Sequence, residues 1–170
     1  MKHWHGKYRG SVIGPGAPNE PAGSLMVNVP EVMGTTGVQL ALPCFPYTGT
    51  PISGSFIVPP PKSPVWVEFE GGRPNKPIWV GGFYTTPSAP AMAKAATPPG
   101  TECFVVQTTL GNTLSIIDLP GAGGIMLRAA TGASILINDV GITLLDGKGG
   151  SIAMAGGTVM VNGPSLVVTP

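Results

Sequence analysis

The sequence predicts an all-β protein in two differently built halves, a small N-terminal barrel followed by a C-terminal β-helical stack shared between copies of the chain. Three observations predict it. The 170 residues include 26 Gly and 20 Pro, which disfavours long helices, while 42% hydrophobic against 10% charged residues sets the chain apart from disordered, polar polymers. Five β-type segments with turn residues between them occupy residues 1–84. From Ile125 to the end, short apolar alternations recur with a glycine-containing turn after each.

The barrel strands are expected at Tyr8–Ile13, Ser24–Val29, Val38–Phe45, Val65–Glu70 and Ile78–Phe83. Alternation within the fourth places Val65, Val67 and Phe69 on one face and Trp66, Glu68 and Glu70 on the other. Gly71 to Asn75 forms the turn that follows. Pro59, Pro60, Pro61 and Pro64 cannot sit in a central strand, so that stretch is a loop or an edge. Residues 85–103, with Pro87, Pro90, Pro98, Pro99 and several alanines, read as a linker of partly extended character.

Residues 104–170 form the stack. Phe104–Gln107 and Thr113–Ile117 begin it, joined by a hairpin turn at Gly111 and Asn112, with residues 121–124 as a loop. The apolar pairs are Leu114 and Ile116, Ile125 and Leu127, Ile135 and Ile137, Ile142 and Leu144, Ile152 and Met154, Val159 and Val161, and Leu166 and Val168. From Ile125 onward the steps are 10, 7, 10, 7 and 7 residues, about one strand plus one tight turn. Side chains two apart share a face, so each rung offers two apolar groups inward. Two aliphatic side chains do not offset the entropy of ordering an entire rung, which argues for several copies around a common axis, supplying strand neighbours and a closed interior. Seven rungs at about 4.8 Å would extend roughly 30–35 Å. Glycines at the rung ends, Gly132, Gly141, Gly147, Gly156 and Gly163, suit corners with positive φ.

Several functions are disfavoured. Net charge is +1, and no basic patch stands out beyond Lys2, Lys7 and Arg9. Glycoside hydrolysis needs two facing carboxylates, but the eight acidic residues are scattered, and Glu68 and Glu70 read as a solvated face. Both histidines, His3 and His5, lie at the N-terminus, away from any nucleophile. Flanking Trp4, they are two potential metal ligands without a third, and an unordered or interface-packed terminus is the preferred reading. No Lys-Ser/Thr follows the glycines near Gly121, so they are turns and not a phosphate loop. The expectation is therefore no catalytic residue, no cofactor and no metal. Cys44 and Cys103 are expected to be buried free thiols. With no signal-like or membrane-spanning run, the chain is expected to be made in the cytoplasm and to leave the cell only within something larger.

Residues 6–10, 27–30, 42–47, 65–72 and 77–81 (Gly6 to Gly10, Val27 to Pro30, Leu42 to Tyr47, Val65 to Gly72, Pro77 to Gly81) carry a resemblance, in matching order, to the spike proteins of contractile injection systems. That family includes phage baseplate spikes and the valine-glycine repeat proteins of type VI secretion. The resemblance implies an N-terminal oligonucleotide/oligosaccharide-binding (OB) barrel followed by a homotrimeric, intertwined triple-stranded β-helix. It implies a mechanical role at the end of the inner tube of a phage tail, tailocin or extracellular particle. There a trimeric hub would hold the barrel end, and the needle would make transient contact with a target membrane. Trp66, Trp79, Phe83 and Tyr84 are the barrel residues assigned to the hub interface. Leu166, Val167, Val168, Thr169 and Pro170 are assigned to docking a tip protein of the Pro-Ala-Ala-Arg repeat class. Some relatives bind iron at the tip through His-x-His, but the last 22 residues here hold no His, Cys, Asp or Glu. Others carry a hub domain before the barrel or a lysozyme domain between barrel and needle; here the barrel starts near residue 6 and the insertion point holds only the short linker, so the chain reads as a minimal spike.

Two alternatives stand beside this reading. A trimeric fibre or adhesin would favour aromatic residues near the C-terminus, and none follows Phe104. An OB barrel binding single-stranded nucleic acid would stack bases on Trp66, Trp79, Phe83 and Tyr84, but the near-neutral charge argues against it.

Overall fold

The computed structural model describes residues 2–50, 53–85, 88–95, 101–121 and 123–169. Pro87, Pro98, Pro99 and Pro170, named above, lie outside the described residues, as do Gly100 of the linker and Ala122 of the loop at 121–124. The chain divides into two compact units, Met1–Pro87 and Ser88–Pro170.

The first unit is a closed five-stranded barrel. Its strands are β1 (Tyr8–Pro15), β2 (Leu25–Asn28), β3 (Gln39–Pro43), β6 (Pro64–Phe69) and β7 (Pro77–Gly82), in the order β1-β2-β3-β7-β6 with β6 pairing back to β1. Between β3 and β6 run the two-residue strands β4 (Thr48–Gly49) and β5 (Ser53–Gly54), which pair only with each other. All barrel pairings are antiparallel except β3 with β7. Period-two patterning sets the inside: Val65, Val67 and Phe69 are buried, while Trp66 and Glu68 face outward and are half-buried. They join Val12, Leu25, Val27, Val29, Ala41 and Trp79 in one core. Gly10 is required by close approach, since a Cβ there would stand 2.9 Å from the Asn28 carbonyl oxygen. Buried Asn28 ties down the connection after α1 (Pro30–Met33), its Nδ2 donating to the carbonyls of Gly34 (2.9 Å) and Gly37.

The N-terminal residues pack onto the barrel. Trp4 N–H donates to the Gly72 carbonyl at 2.9 Å, and Trp4, Tyr8 and Phe69 form a chain of edge-on ring contacts 5.7 and 5.6 Å apart. His3 and His5 stack with ring centroids 5.9 Å apart beside Gly72.

In the second unit, the expected extended linker instead contains a helical turn, α2 (Ala91–Ala95), which touches the first strand of the sheet that follows. Alanine and Met92 favour helix once Pro90 has fixed its start. Eight strands then form one antiparallel sheet in chain order: β8 (Cys103–Gln107), β9 (Thr113–Ile117), β10 (Gly124–Arg128), β11 (Ser134–Ile137), β12 (Gly141–Leu145), β13 (Ser151–Ala155), β14 (Thr158–Val161) and β15 (Leu166–Val168). The pairing differs from the expectation in one respect. Consecutive strands of one chain are each other's hydrogen-bonded neighbours, so other copies are not needed to supply them.

The turns explain this. Gly132, Gly141, Gly147, Gly156 and Gly163 all adopt positive φ, as expected, and reverse the chain on itself. Asx contacts hold the reversals. Asn138 Oδ1 accepts from the amides of Val140 and Gly141 (3.1 and 3.2 Å), and Asn162 Oδ1 accepts from the Ser151 amide (2.9 Å). Asp146 Oδ1 accepts from Lys148 (2.7 Å) and Gly150 (2.9 Å), and these backbone donors, Lys148 first, hold its carboxyl below the usual carboxylate range.

Candidate assembly interface

Register converts the apolar pairs into two continuous columns. Across the sheet, Phe104, Ile116, Ile125, Ile137, Ile142, Met154, Val159 and Val168 are successive direct partners. Beside them run Val106, Leu114, Leu127, Ile135, Leu144, Ile152, Val161 and Leu166 in the same way. Every pair proposed from the sequence falls in these columns. The rung formed by Phe104 and Val106 was not counted, so there are eight rungs, with the sheet spanning roughly 34 Å across its strands. Because residues two apart point the same way, both columns lie on one face.

That face is uncovered in the single chain. Its residues are 37 to 57% exposed, except Ile142, Leu144, Val159 and Val161, which are half-buried. The opposite face has a central column of Val105, Ser115, Met126, Leu136, Thr143, Ala153, Met160 and Val167, flanked by Gln107, Thr113, Arg128, Ser134, Leu145 and Ser151. It is more polar, yet Ser115 and Thr113 on it are buried. The two-column face is therefore an uninterrupted apolar surface left open to solvent, the kind of surface that marks an interface. At the sheet's far edge Leu166, Val167, Val168 and Thr169 are exposed, with Leu166 and Val168 ending the columns and Val167 on the other face.

The assigned barrel residues divide. Trp79 is a correction: only 4% exposed, it belongs to the core, where its Nε1–H donates to the Gly23 carbonyl at 3.0 Å and its ring meets Phe45 edge-on. It is on the strand next to Trp66, but the β6–β7 register shift between Trp66 and Val67 breaks simple alternation. Trp66 and Phe83 are half-buried and pack together, ring centroids 4.8 Å apart, while Tyr84 is 70% exposed. Tyr47, Phe56 and Ile57 form a further exposed group that went unassigned, within a stretch from Val32 to Pro61 that carries no charged residue. That gap in charge was the available signal.

Chemistry-bearing groups are dispersed. Glu68 pairs with Lys7, and Glu70 with Arg73 (3.2 Å) and Lys76 (3.8 Å), all at the surface. Cys44 and Cys103 are free but exposed, which corrects the expectation of burial: Cys44 follows the last residue of β3, and Cys103 is the first of the edge strand β8. Among the described residues no three His, Cys, Asp or Glu gather as a metal would require, and no helix is long and apolar enough to cross a membrane.

Residues 8–84 match the type VI secretion system/phage-baseplate injector OB domain, and residues 103–167 match the phage baseplate V C-terminal trimerisation domain. The chain belongs to the baseplate spike proteins of contractile injection systems. The two matches take in the whole barrel and nearly the whole eight-stranded sheet, in the order the resemblance implied. Among curated proteins none matches the chain. As a member of this family the spike protein is a structural component of a phage or type VI baseplate, and the trimerisation domain supports a homotrimer.

Proposed function

We propose that three copies of the spike protein bring their two-column faces together around a common axis, forming a closed prism that is driven through a target membrane when the particle contracts. The observation that carries this reading is the pair of unbroken eight-residue apolar columns, open to solvent in one chain and lying within residues matched to a trimerisation domain. Three sheets closed in this way bury the columns against one another. Since each sheet is already hydrogen-bonded along its length, the needle resists axial load without peeling a strand from an edge.

In this reading the barrel, through Trp66, Phe83 and Tyr84, docks on a trimeric hub at the end of the inner tube. At the β15 edge Leu166, Val167, Val168 and Thr169 from three copies form an apolar platform for a conical tip protein of the Pro-Ala-Ala-Arg repeat class. Residues 149–170 carry no charge, which suits a capped or membrane-meeting end. The particle is a phage tail, a tailocin or an extracellular contraction device. A delivery assay on particles produced with the Ile137→Asp/Ile152→Asp spike as the sole spike, with electron microscopy of their sheaths, tests it. The expected result is sheath contraction without delivery into the target cell; full delivery would remove the needle from the mechanism.

A further inference from the structure

Five of the ten charged residues of the first unit are in ion pairs. Lys7 meets Glu68, Arg73 and Lys76 gather around Glu70, and Lys2 lies 3.8 Å over the Trp4 ring. Arg9, like Lys62, is exposed and has no carboxylate partner among the described residues, but Arg9 lies against two aromatic rings. Its guanidinium carbon stands 5.7 Å from the Trp66 ring centroid and 5.4 Å from that of Phe83.

The fold builds this arrangement from three adjoining segments. Arg9 on β1 is the direct partner of Trp66 on β6, and Trp66 is the partner of Gly81 on β7, two residues before Phe83. Two packed rings limit the rotamers of the arginine and hold its planar fork, while its N–H donors stay unclaimed by any anion. A preorganised guanidinium set in an aromatic surround matches a carboxylate bound by two parallel N–H···O contacts, with apolar neighbours over the rings.

We infer that Arg9, Trp66 and Phe83 form a recognition shelf for an aspartate or glutamate flanked by apolar residues on the protein that receives the barrel. This rests on the hub-docking reading above and names its chemistry. Nucleic acid fits less well, because it needs several phosphates neutralised together, whereas the chain's net charge is +1 and neighbouring Lys7 is already engaged by Glu68.

The test is a titration of the full-length spike against the purified hub protein of the same particle at low and high salt, with Arg9→Glu, Arg9→Gln and Arg9→Lys compared after their melting temperatures and masses are checked. The shelf predicts a loss of affinity of at least tenfold for Arg9→Glu, an intermediate loss for Arg9→Gln and a smaller one for Arg9→Lys, which keeps charge but not the fork. It also predicts recovery of Arg9→Glu binding by a hub variant with one acidic residue changed to arginine. Equal binding by wild type and Arg9→Glu would overturn the shelf and leave hub docking intact; no binding even by wild type would overturn docking and the shelf with it. A thirty-nucleotide oligo-dT that binds wild type in a salt-sensitive way and fails to bind Arg9→Glu would reassign the shelf to nucleic acid.

Discussion

The barrel and the needle are both β structures rich in valine and isoleucine, yet they place those residues in opposite situations. In the barrel, closure puts Val12, Val27, Val29, Val65 and Val67 out of solvent within a single chain. In the needle, the sheet stays open and leaves its apolar columns exposed. All of the fully buried hydrophobic cluster among the described residues lies in the barrel. The five-stranded sheet closes on itself, whereas the eight-stranded meander stays open in the single chain, so its columns need another surface to cover them. The barrel thus buries its own core, and in the proposed trimer it is assembly that would cover the needle's columns.

The sharpest way to break this contrast is charge in the columns. Ile137→Asp with Ile152→Asp places two carboxylates on the face proposed to be shared by three chains, and the expected result is loss of the trimer with the barrel still folded, read by light scattering and by tryptophan fluorescence of buried Trp79. The mirror experiment is Trp79→Ala, which empties the barrel core and loses the Gly23 hydrogen bond. It should cost about 3–5 kcal/mol in the barrel transition, measured by calorimetry, while the needle transition keeps its midpoint.

Within the needle, Gly141→Ala sharpens how tightly rungs are stacked. A Cβ there would fall 1.9 Å from the Met154 carbonyl oxygen in a residue with φ of 150°, so the β12–β13 pairing must shift. We expect a loss of about 1–3 kcal/mol, seen as a lowered needle melting temperature. The smallest effect belongs to the Asp146 turn. Its carboxyl is depressed below the ordinary value of 3.8 by backbone donors, so its contribution is present above that pH and fades as pH falls through the lower folded value. Protection of the Lys148 and Gly150 amides, once the base-catalysed intrinsic exchange rate is divided out, should therefore fall only below about pH 4 and stay constant between pH 5 and 8.

Much of this was legible in the sequence because period-two patterning is unambiguous when one face is buried. Val65, Val67 and Phe69 declared the barrel interior, and the needle pairs declared the two-column face. Phe104 and Val106 escaped because an aromatic at the start of the ladder breaks its aliphatic pattern, although register puts both in the columns. Whether strand neighbours come from the same chain or another depends on how each glycine corner turns, and spacing alone does not encode that. Trp79 was misplaced because a register shift between Trp66 and Val67 changes which face a neighbouring strand presents. Arg9 drew notice only as a basic residue. Its place against Trp66 and Phe83 arises from strands far apart in sequence.

The central claim, that the two columns are the core of a three-chain needle, is tested most directly by the solution mass of wild type and the Ile137→Asp/Ile152→Asp variant. The account predicts three times the 17.3 kDa chain mass for wild type and the mass of a single chain for the variant. A wild-type monomer, or a variant that stays at three chains, would contradict it.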